Sequence, residues 1–209
     1  MRILIVGSTG LVGGEVLKLA LNNVQVSSVV APTRRPLPAH PKLAAPLVDF
    51  DHLPENEDWW QVDAVICALG TTIKTAGSKE AFAQVDLAYP LQIATIARKH
   101  GVPTFLFNSA IGANASSKFF YNRIKGQAEH ELAKFGFSSL ILVRPGLIGG
   151  DRQESRMGES IGKVITKLLH PLLPAKYHIN PAERIAEAML TAALQPPPGV
   201  TEISSEQLI

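Results

Sequence analysis

Three residues have the side chains and the spacing needed to move a proton. Tyr121 and Lys125 are four residues apart, which places them on one face of a helix, one turn from each other. A lysine cation beside a tyrosine favours the phenolate and lowers the tyrosine pKa from its usual value of about 10. Ser109 ends an apolar run, where its hydroxyl can hold the same substrate oxygen. We therefore expect Ser109, Tyr121 and Lys125 to be catalytic, as an acid–base set acting on a carbonyl or alcohol oxygen. The alternative is an aromatic core residue beside a solvated lysine.

The N-terminal segment predicts the element that brings a cofactor to these residues. The apolar run 3–6 leads into Gly7, Gly10 and Gly13, and an amphipathic helical pattern follows. This order is typical of the entry to a dinucleotide-binding βαβ unit, with the diphosphate at the helix N-terminus. Gly7 allows the sharp turn, Gly10 allows backbone N–H groups to approach the diphosphate, and Gly13 allows close helix packing. No Gly-Lys-Ser/Thr follows, which argues against an ATP-hydrolysing loop. A purely structural turn is the alternative.

The end of the second predicted strand, 24–30, bears on which nicotinamide cofactor is bound. An NAD site usually has an acidic residue here for the ribose 2′-hydroxyl, but Arg34 and Arg35 stand in its place. Guanidinium groups suit the 2′-phosphate of NADP. We therefore expect NADP(H) to be preferred, with NAD(H) possible. A solvated basic loop is the alternative.

Further cofactor contacts are expected where the next strands end. A short third strand over 47–50 presents Asp49 either to the adenine amino group or as a turn residue. A fourth strand with its glycine turn is expected over 62–70, which places Gly70 beside the first loop, and Cys67 within it is expected to be a buried, inert thiol. The complete set of expected cofactor contacts is Gly7, Ser8, Thr9, Gly10, Leu11, Val12, Arg34, Arg35, Asp49, Phe50, Ala68, Leu69, Gly70, Lys125 and Pro145.

The remaining pattern alternates strands and helices. Ser78 is suited to cap a helix that runs to Gly101 and is kinked or split at Pro90, and strands are predicted over 102–109, 139–146 and 199–203. The alternation predicts an α/β fold. We expect a single-domain Rossmann fold over 1–209, with a doubly wound, mainly parallel sheet and a short C-terminal helical extension. Residues 146–209 would contribute a small substrate or interface region.

Composition excludes several classes of function. The net charge is +2, hydrophobic residues make up 46% and charged residues 18%, so we expect no nucleic-acid partner and no membrane insertion. The one cysteine excludes an internal disulfide, and the six histidines are scattered, so no metal site is predicted. The N-terminal residues are accounted for by the first strand, so we expect a cytoplasmic protein.

These motifs together resemble a known family. Ser109, the Tyr121/Lys125 pair and the glycine turn are similar to the short-chain dehydrogenase/reductase superfamily. A closer resemblance is to the Tat-interacting-protein family of atypical members and its small bacterial relatives. It is carried by segments 68–72, 76–78, 85–86, 121–126, 144–146 and 151–156. The resemblance implies a Rossmann fold that binds NADPH and names no substrate. Sugar-modifying members usually have a sizeable C-terminal substrate domain, whereas only residues 146–209 follow Pro145 in this chain.

These observations predict an NADPH-dependent oxidoreductase of the atypical short-chain dehydrogenase/reductase type, acting on a small carbonyl or alcohol compound. The alternatives are a non-catalytic NADP(H)-binding regulatory protein and a sugar epimerase-like isomerase. A homodimer or a protein partner is compatible with each of these three functions. The polar loop Asp151–Arg156 either closes over the nicotinamide, forms an interface, or is an ion-paired structural loop.

Overall fold

The strands of the protein belong mostly to one sheet. A computed structural model describes residues 1–149 and 178–209. The described strands are β1 (Arg2–Val6), β2 (Ser28–Val30), β3 (Leu43–Ala44), β4 (Ala64–Cys67), β5 (Thr104–Asn108), β6 (Ser139–Arg144), β7 (Leu147–Gly149), β8 (Ile179–Pro181) and β9 (Gly199–Ser204). Seven of them form a parallel sheet in the order β3-β2-β1-β4-β5-β6-β9, while β7 and β8 form a separate parallel pair.

Helices cover both faces of this sheet. Within the described ranges they are α1 (Leu11–Asn22), α2 (Ile73–Ala76), α3 (Lys79–Ala83), α4 (Tyr89–Lys99), α5 (Phe120–Ala133) and α6 (Ala182–Leu194). Alternate residues of β1 point to opposite faces, so Ile3 and Ile5 join the core under α1 and α6. Leu4 and Val6 join the other core, under α4 and α5. The strand order reverses between β1 and β4, which makes this the doubly wound Rossmann fold that the sequence predicts.

Two strand predictions near the N-terminus need correction. The second strand begins at Ser28 rather than Val24, because Val24 is 95% exposed and pairing with β1 starts only where Ser27 N donates to Met1 O. The third strand is Leu43–Ala44, not 47–50. Leu47 makes only an isolated bridge with Thr33, and Asp49 ends the extended backbone by capping the 3-10 turn Phe50–His52.

The helix predicted from Ser78 is divided into two helices. The Ser78 hydroxyl caps α3 by accepting from Ala81 N at 3.0 Å, as expected. A π-helical turn, Gln84–Ala88, then separates α3 from α4, and Pro90 lies in the first turn of α4, directly after it. The predicted division at Pro90 is therefore accompanied by a π turn that the sequence pattern does not reveal.

The described C-terminal residues are part of the main body. Helix α6 packs beside α1, and β9 extends the sheet by pairing with β6. Strand β7, which the sequence does not predict, pairs with β8, and the first pair of residues is Leu147 opposite Ile179. The predicted Asp151–Arg156 loop lies outside the described residues, as does the apolar stretch of the sequence over 161–173.

Candidate active site

The glycine turn after β1 has the predicted geometry. Gly7 has a φ of +86°, and a Cβ there would lie 2.7 Å from the Ala68 carbonyl carbon, so the segment after β4 passes directly against it. A Cβ on Gly13 would lie 2.1 Å from Gly7 O. Both positions therefore require glycine, one for its backbone conformation and both for lack of space.

The start of α1 is suited to an anion. Gly10 is its N-cap and supplies no side chain to the free N–H groups of the first turn. The Ser8 hydroxyl is buried and has no hydrogen-bond partner among the described residues. Thr9 is exposed, Leu11 is half-buried and Val12 packs into the core. Free N–H groups, the positive end of the helix dipole and an unbonded hydroxyl fit a cofactor diphosphate.

The two arginines after β2 are exposed, as a contact to a bound phosphate requires. Thr33 Oγ1 accepts from Arg35 N at 3.3 Å and donates to Arg35 O at 2.9 Å, which folds this turn. Within residues 1–149 and 178–209, neither Arg34 nor Arg35 has an acidic partner.

The carboxylate of Asp49 already serves as a turn residue. It accepts from Asp51 N at 3.0 Å and lies 3.0 Å from the His52 ring, and the His52 contact lowers the Asp49 pKa. Phe50 is buried against Tyr89, with ring centroids 5.7 Å apart. Tyr89 donates to Asp51 Oδ1 at 2.7 Å, and burial together with that bond raises its pKa to about 12. Asp49 thus has the predicted turn role, and its contact with the adenine amino group stays a prediction.

The segment after β4 connects the glycine turn to the predicted catalytic residues. Ala68 N donates to Val6 O, which holds the exit of β4 against β1. Ala68 and Leu69 are half-buried, whereas Gly70 is exposed. One residue further, Thr71 N donates to Asp86 Oδ2 at 2.9 Å. Cys67 is fully buried in β4, and burial raises its pKa to about 12, so it is the inert thiol that was expected.

Lys125 lies in a buried ion pair that the sequence does not reveal. Its Nζ lies 2.8 Å from Asp86 Oδ1 and donates to Asn108 O at 3.1 Å. It also lies 4.9 Å from the centre of the Phe107 ring. The partner Asp86 comes from the π-helical turn between α3 and α4. Burial acts to lower the Lys125 pKa, but the groups around the ammonium, Asp86 foremost, raise it overall, so the side chain is an ammonium ion.

The structure brings Tyr121 and Ser109 to the same edge of the sheet as Lys125. Tyr121 begins α5, is 40% exposed and packs with a tilted ring against Phe82. Ser109 follows β5 and is buried, with its hydroxyl unbonded among the described residues. Lys125 lowers the Tyr121 pKa as predicted, but burial outweighs this effect and Asp86 opposes it, so the Tyr121 pKa is raised. The effect of Lys125 therefore has the predicted sign, but burial decides the net direction.

Pro145 and Arg144 stabilise the neighbouring loop. Pro145 is buried, and its carbonyl accepts from Ile111 N at 2.8 Å, which fixes the chain just after Ser109. Arg144 makes a bidentate ion pair with Glu129 of α5 and contacts Glu202 of β9. Glu129, and to a smaller extent Glu202, raises the Arg144 pKa, so this side chain serves as a permanently charged link between β6, α5 and β9.

Two negative findings concern the described ranges only. In 1–149 and 178–209, no three His, Cys, Asp or Glu side chains are grouped so that they could hold a metal ion. No helix in the same ranges is long and apolar enough to cross a bilayer.

The fold and the site together define a nicotinamide-dinucleotide-binding class of protein. Residues 3–176 match the NAD dependent epimerase/dehydratase family, and the chain belongs to this family. It is 32% identical to the protein HTATIP2 of Rattus norvegicus over 212 residues, covering 99% of this chain and 87% of that one. The predicted membership of the Tat-interacting-protein group of short-chain dehydrogenase/reductase-like proteins is thereby confirmed.

Fungal relatives bear on the cellular location. The chain is 31% identical to the mitochondrial protein FMP52 of Meyerozyma guilliermondii over 205 residues, covering 94% of this chain and 87% of that one. The name of this relative, like that of FMP52 from Candida albicans, includes "mitochondrial". These names contradict the cytoplasmic location expected from the sequence. Composition and a strand-forming N-terminus do not specify a compartment, and the expectation was wrong.

Solved structures confirm the fold. MoeE5, solved in complex with UDP-glucuronic acid and NAD, superposes with a TM-score of 0.75 at 17% identity. The superposition covers 97% of this chain and 75% of that one. MoeE5 in complex with UDP-glucose and NAD gives a TM-score of 0.74.

Proposed function

We propose that this protein is an NADPH-dependent oxidoreductase that acts on a small carbonyl or alcohol substrate. The observation that supports the proposal is that Lys125, one helical turn from Tyr121, bonds the β5 carbonyl of Asn108, the residue before Ser109, whose buried hydroxyl has no partner among the described residues. The first turn of α1 and Ser8 would hold the diphosphate. Arg34 and Arg35 would hold the 2′-phosphate and so favour NADPH over NADH.

The residues divide the chemistry of carbonyl reduction between them. NADPH, when bound, supplies the hydride that reduces the carbonyl carbon. Tyr121 donates its phenolic proton to the carbonyl oxygen, and Ser109 donates a hydrogen bond to the same oxygen. The product is an alcohol, and the Tyr121 phenolate recovers a proton from solvent, which its 40% exposure allows. Lys125 stabilises that phenolate, while its bond to Asn108 O keeps it in place.

Turnover with a panel of aldehydes, ketones and quinones tests the proposal. Consumption of NADPH should be matched by formation of an alcohol or hydroquinone. Tyr121→Phe should lower kcat by at least about 100-fold, the usual size of a general-acid contribution, with an NADPH affinity close to that of the wild type. Equal turnover in Tyr121→Phe would overturn the assigned role of Tyr121.

A second candidate is a non-catalytic NADP(H)-dependent regulator. The observation that favours it is the similarity to the Tat-interacting-protein family, which is named for a protein interaction. A regulator would bind NADPH tightly, reduce nothing on the panel, and capture a protein partner only when the cofactor is present. Partner capture that is identical with and without NADPH would contradict this candidate.

A third candidate, an epimerase-like isomerase, follows from the description of the family as epimerases and dehydratases. An isomerase of this kind keeps its cofactor through the cycle. Net consumption of NADPH in proportion to product therefore separates the oxidoreductase from the isomerase, because the isomerase shows none.

A further inference from the structure

Tyr121 belongs to a run of three consecutive aromatic residues that is open to solvent. Phe119, the residue before α5, is 76% exposed, Phe120 is half-buried and Tyr121 is 40% exposed. The rings of Phe120 and Tyr121 each lie 5.7 Å, centre to centre, from the buried ring of Phe82 in α3. A contiguous apolar surface beside a reactive group is typical of a site that binds an apolar ligand.

Two cations contact one ring of this aromatic run. Lys79 Nζ, from α3, lies 5.5 Å from the centre of the Phe120 ring, and Arg123 Cζ, from α5, lies 5.7 Å from the same centre. Arg123 is fixed in place because its Nη1 donates to Ser117 O at 2.9 Å, whereas Lys79 is exposed. Each contact with the ring is favourable, but together they bring two like charges close to each other.

No carboxylate neutralises these two charges in the described part of the chain. Neither Lys79 nor Arg123 forms an ion pair within residues 1–149 and 178–209. Glu80 follows Lys79, but hydrogen bonds with its own N–H and with Ser78 lower its pKa more than the charge of Lys79 does.

The sequence around the site has the same bias toward positive charge. The segment 64–79 covers β4, the loop after it and α2, and the segment 87–128 covers β5 and the first part of α5. Neither segment contains an Asp or a Glu. The aromatic run therefore lies on a surface whose charge is complementary to an anion.

We propose that the substrate is an apolar carbonyl compound that also carries a carboxylate. The inference rests on the proposed function, because it places the carbonyl group at Tyr121. The apolar part of the substrate lies along Phe119 and Phe120, and the carboxylate binds between Lys79 and Arg123. Lys79 is the specificity-determining residue, and the carboxylate takes no part in the transfer of the hydride or the proton.

Equilibrium binding of two probes to the cofactor-free protein tests the proposal. Biphenyl-4-carboxylate and biphenyl-4-carboxamide have the same apolar body and differ in charge. In calorimetric titrations the carboxylate should bind about tenfold more tightly, because only the carboxylate makes charge-assisted hydrogen bonds with the two cations. Equal affinities for the two probes, or binding of neither probe, would overturn the proposal.

Two variants locate the bound probe. Lys79→Gln should weaken binding of the carboxylate about tenfold and leave binding of the carboxamide unchanged, because it removes only the charge. Phe119→Ser should weaken binding of both probes by a similar factor, because it removes an apolar contact that the probes share. A preference for the carboxylate that survives Lys79→Gln would place the probe at another cationic surface and overturn the assignment.

Arg98→Gln is the matched control. Arg98 Cζ lies 5.4 Å from the centre of the Phe137 ring, so this substitution also removes a cation from an aromatic ring, but one outside the aromatic run. It should change neither affinity. An equal loss of carboxylate binding in Arg98→Gln and Lys79→Gln would reflect the net charge of the protein and would contradict a local site.

Turnover separates this inference from the proposed function. With NADPH, 4-acetylbenzoate should have a lower KM than its methyl ester, and Lys79→Gln should raise the KM for the acid with kcat nearly unchanged. Oxidation of NADPH with equal KM values for the two compounds would contradict the carboxylate site alone. No oxidation of NADPH with either compound, together with a retained preference for the carboxylate probe, would contradict the proposed function and support the carboxylate site.

Discussion

Buried polar atoms without a partner mark the candidate site. Ser8 Oγ, Asn108 Oδ1 and Ser109 Oγ are three of the five buried side-chain oxygens that have no hydrogen-bond partner among the described residues; the other two are Asp86 Oδ1, which is ion-paired with Lys125, and Thr201 Oγ1 of β9. Folded proteins bond nearly all such atoms, so each unbonded one calls for a physical reason. The first three follow or end β1 and β5 at the carboxyl edge of the sheet, where a ligand of an open α/β fold binds.

Ser109→Ala should separate stability from activity. The hydroxyl has no partner to lose within the described part of the chain, so the free energy of unfolding should be unchanged or rise by up to about 1 kcal/mol. Turnover should fall about 100-fold because the substrate oxygen loses a hydrogen bond. Urea unfolding and NADPH consumption measure the two effects.

Ser139→Ala is the matched control for this substitution. Ser139 is equally buried, but its hydroxyl donates to Pro197 O at 2.6 Å. Its loss should cost about 1 kcal/mol of stability and leave turnover intact. Comparable destabilisation in the Ser109 and Ser139 variants would mean that the Ser109 hydroxyl has a structural partner, and would count against its role as a substrate contact.

Residue-level prediction succeeds where the signal is local. The Tyr121/Lys125 spacing is a property of one helix, and Ser109 follows a recognisable strand. Asp86 stands 39 positions before Lys125, within an ordinary helical pattern, and only the π-helical turn directs it inward. A buried-acid signal was present, since Asp86 is flanked by Val85 and Leu87 in the sequence, but its partner is not evident from a local pattern.

At the scale of elements, the turn between β1 and α1 tolerates substitution at some glycines and not at others. A Cβ on Gly13 would lie 2.1 Å from Gly7 O, so Gly13→Ala forces the helix away from the strand. We expect it to lose about 1–3 kcal/mol in the free energy of unfolding and to bind NADPH more weakly. Urea denaturation and a cofactor titration measure these losses.

The next glycine supplies the control. A Cβ on Gly14 would lie 3.5 Å from Ser8 O, an ordinary contact, and alanine favours the helix. Gly14→Ala should therefore be neutral or stabilising by up to about 1 kcal/mol. A Gly13→Ala variant as stable as Gly14→Ala would refute the close-packing role of Gly13.

The sequence predicts a strand correctly where the burial of that strand in the sheet determines its pattern of apolar and polar residues. Strands β4 and β5 are buried throughout, so each appears as an apolar run followed by polar residues. Strand β3 has two residues and depends on pairing with β2, so residues 47–50 were the more strand-like sequence and the wrong choice. Strand β7 depends on Ile179, more than thirty residues away, and has no local signal.

Considered as a whole, the molecule keeps protons in alkaline solution that its unfolded chain would lose. The pKa values of Cys67 and Tyr89 are raised to about 12, and those of Tyr121 and Lys125 are raised as well. The folded state then binds more protons than the unfolded state, so stability falls as pH rises above about 8.5, where an unfolded thiol ionises.

Urea midpoints measured at increasing alkaline pH test this expectation. While only the unfolded thiol is ionised, Cys67 contributes a loss of about 1.4 kcal/mol for each pH unit. Cys67→Ala lowers stability near neutral pH because it leaves a cavity, but its stability should decline less steeply with pH. A wild-type stability that is flat or rising over this range would contradict the buried, neutral state of Cys67.

Binding of NADPH by the turn from Gly7 to Gly13 is the property on which the proposed function depends, and calorimetric titration with NADPH and NADH tests it most directly. Wild-type protein should bind NADPH more tightly. Arg34→Ala should weaken NADPH binding about tenfold without affecting NADH, because only NADPH carries the 2′-phosphate. Arg184→Ala, which removes an exposed arginine on α6, should change neither affinity. If the protein bound neither NADPH nor NADH, the proposed function would be contradicted, and the glycine turn would have a structural role only.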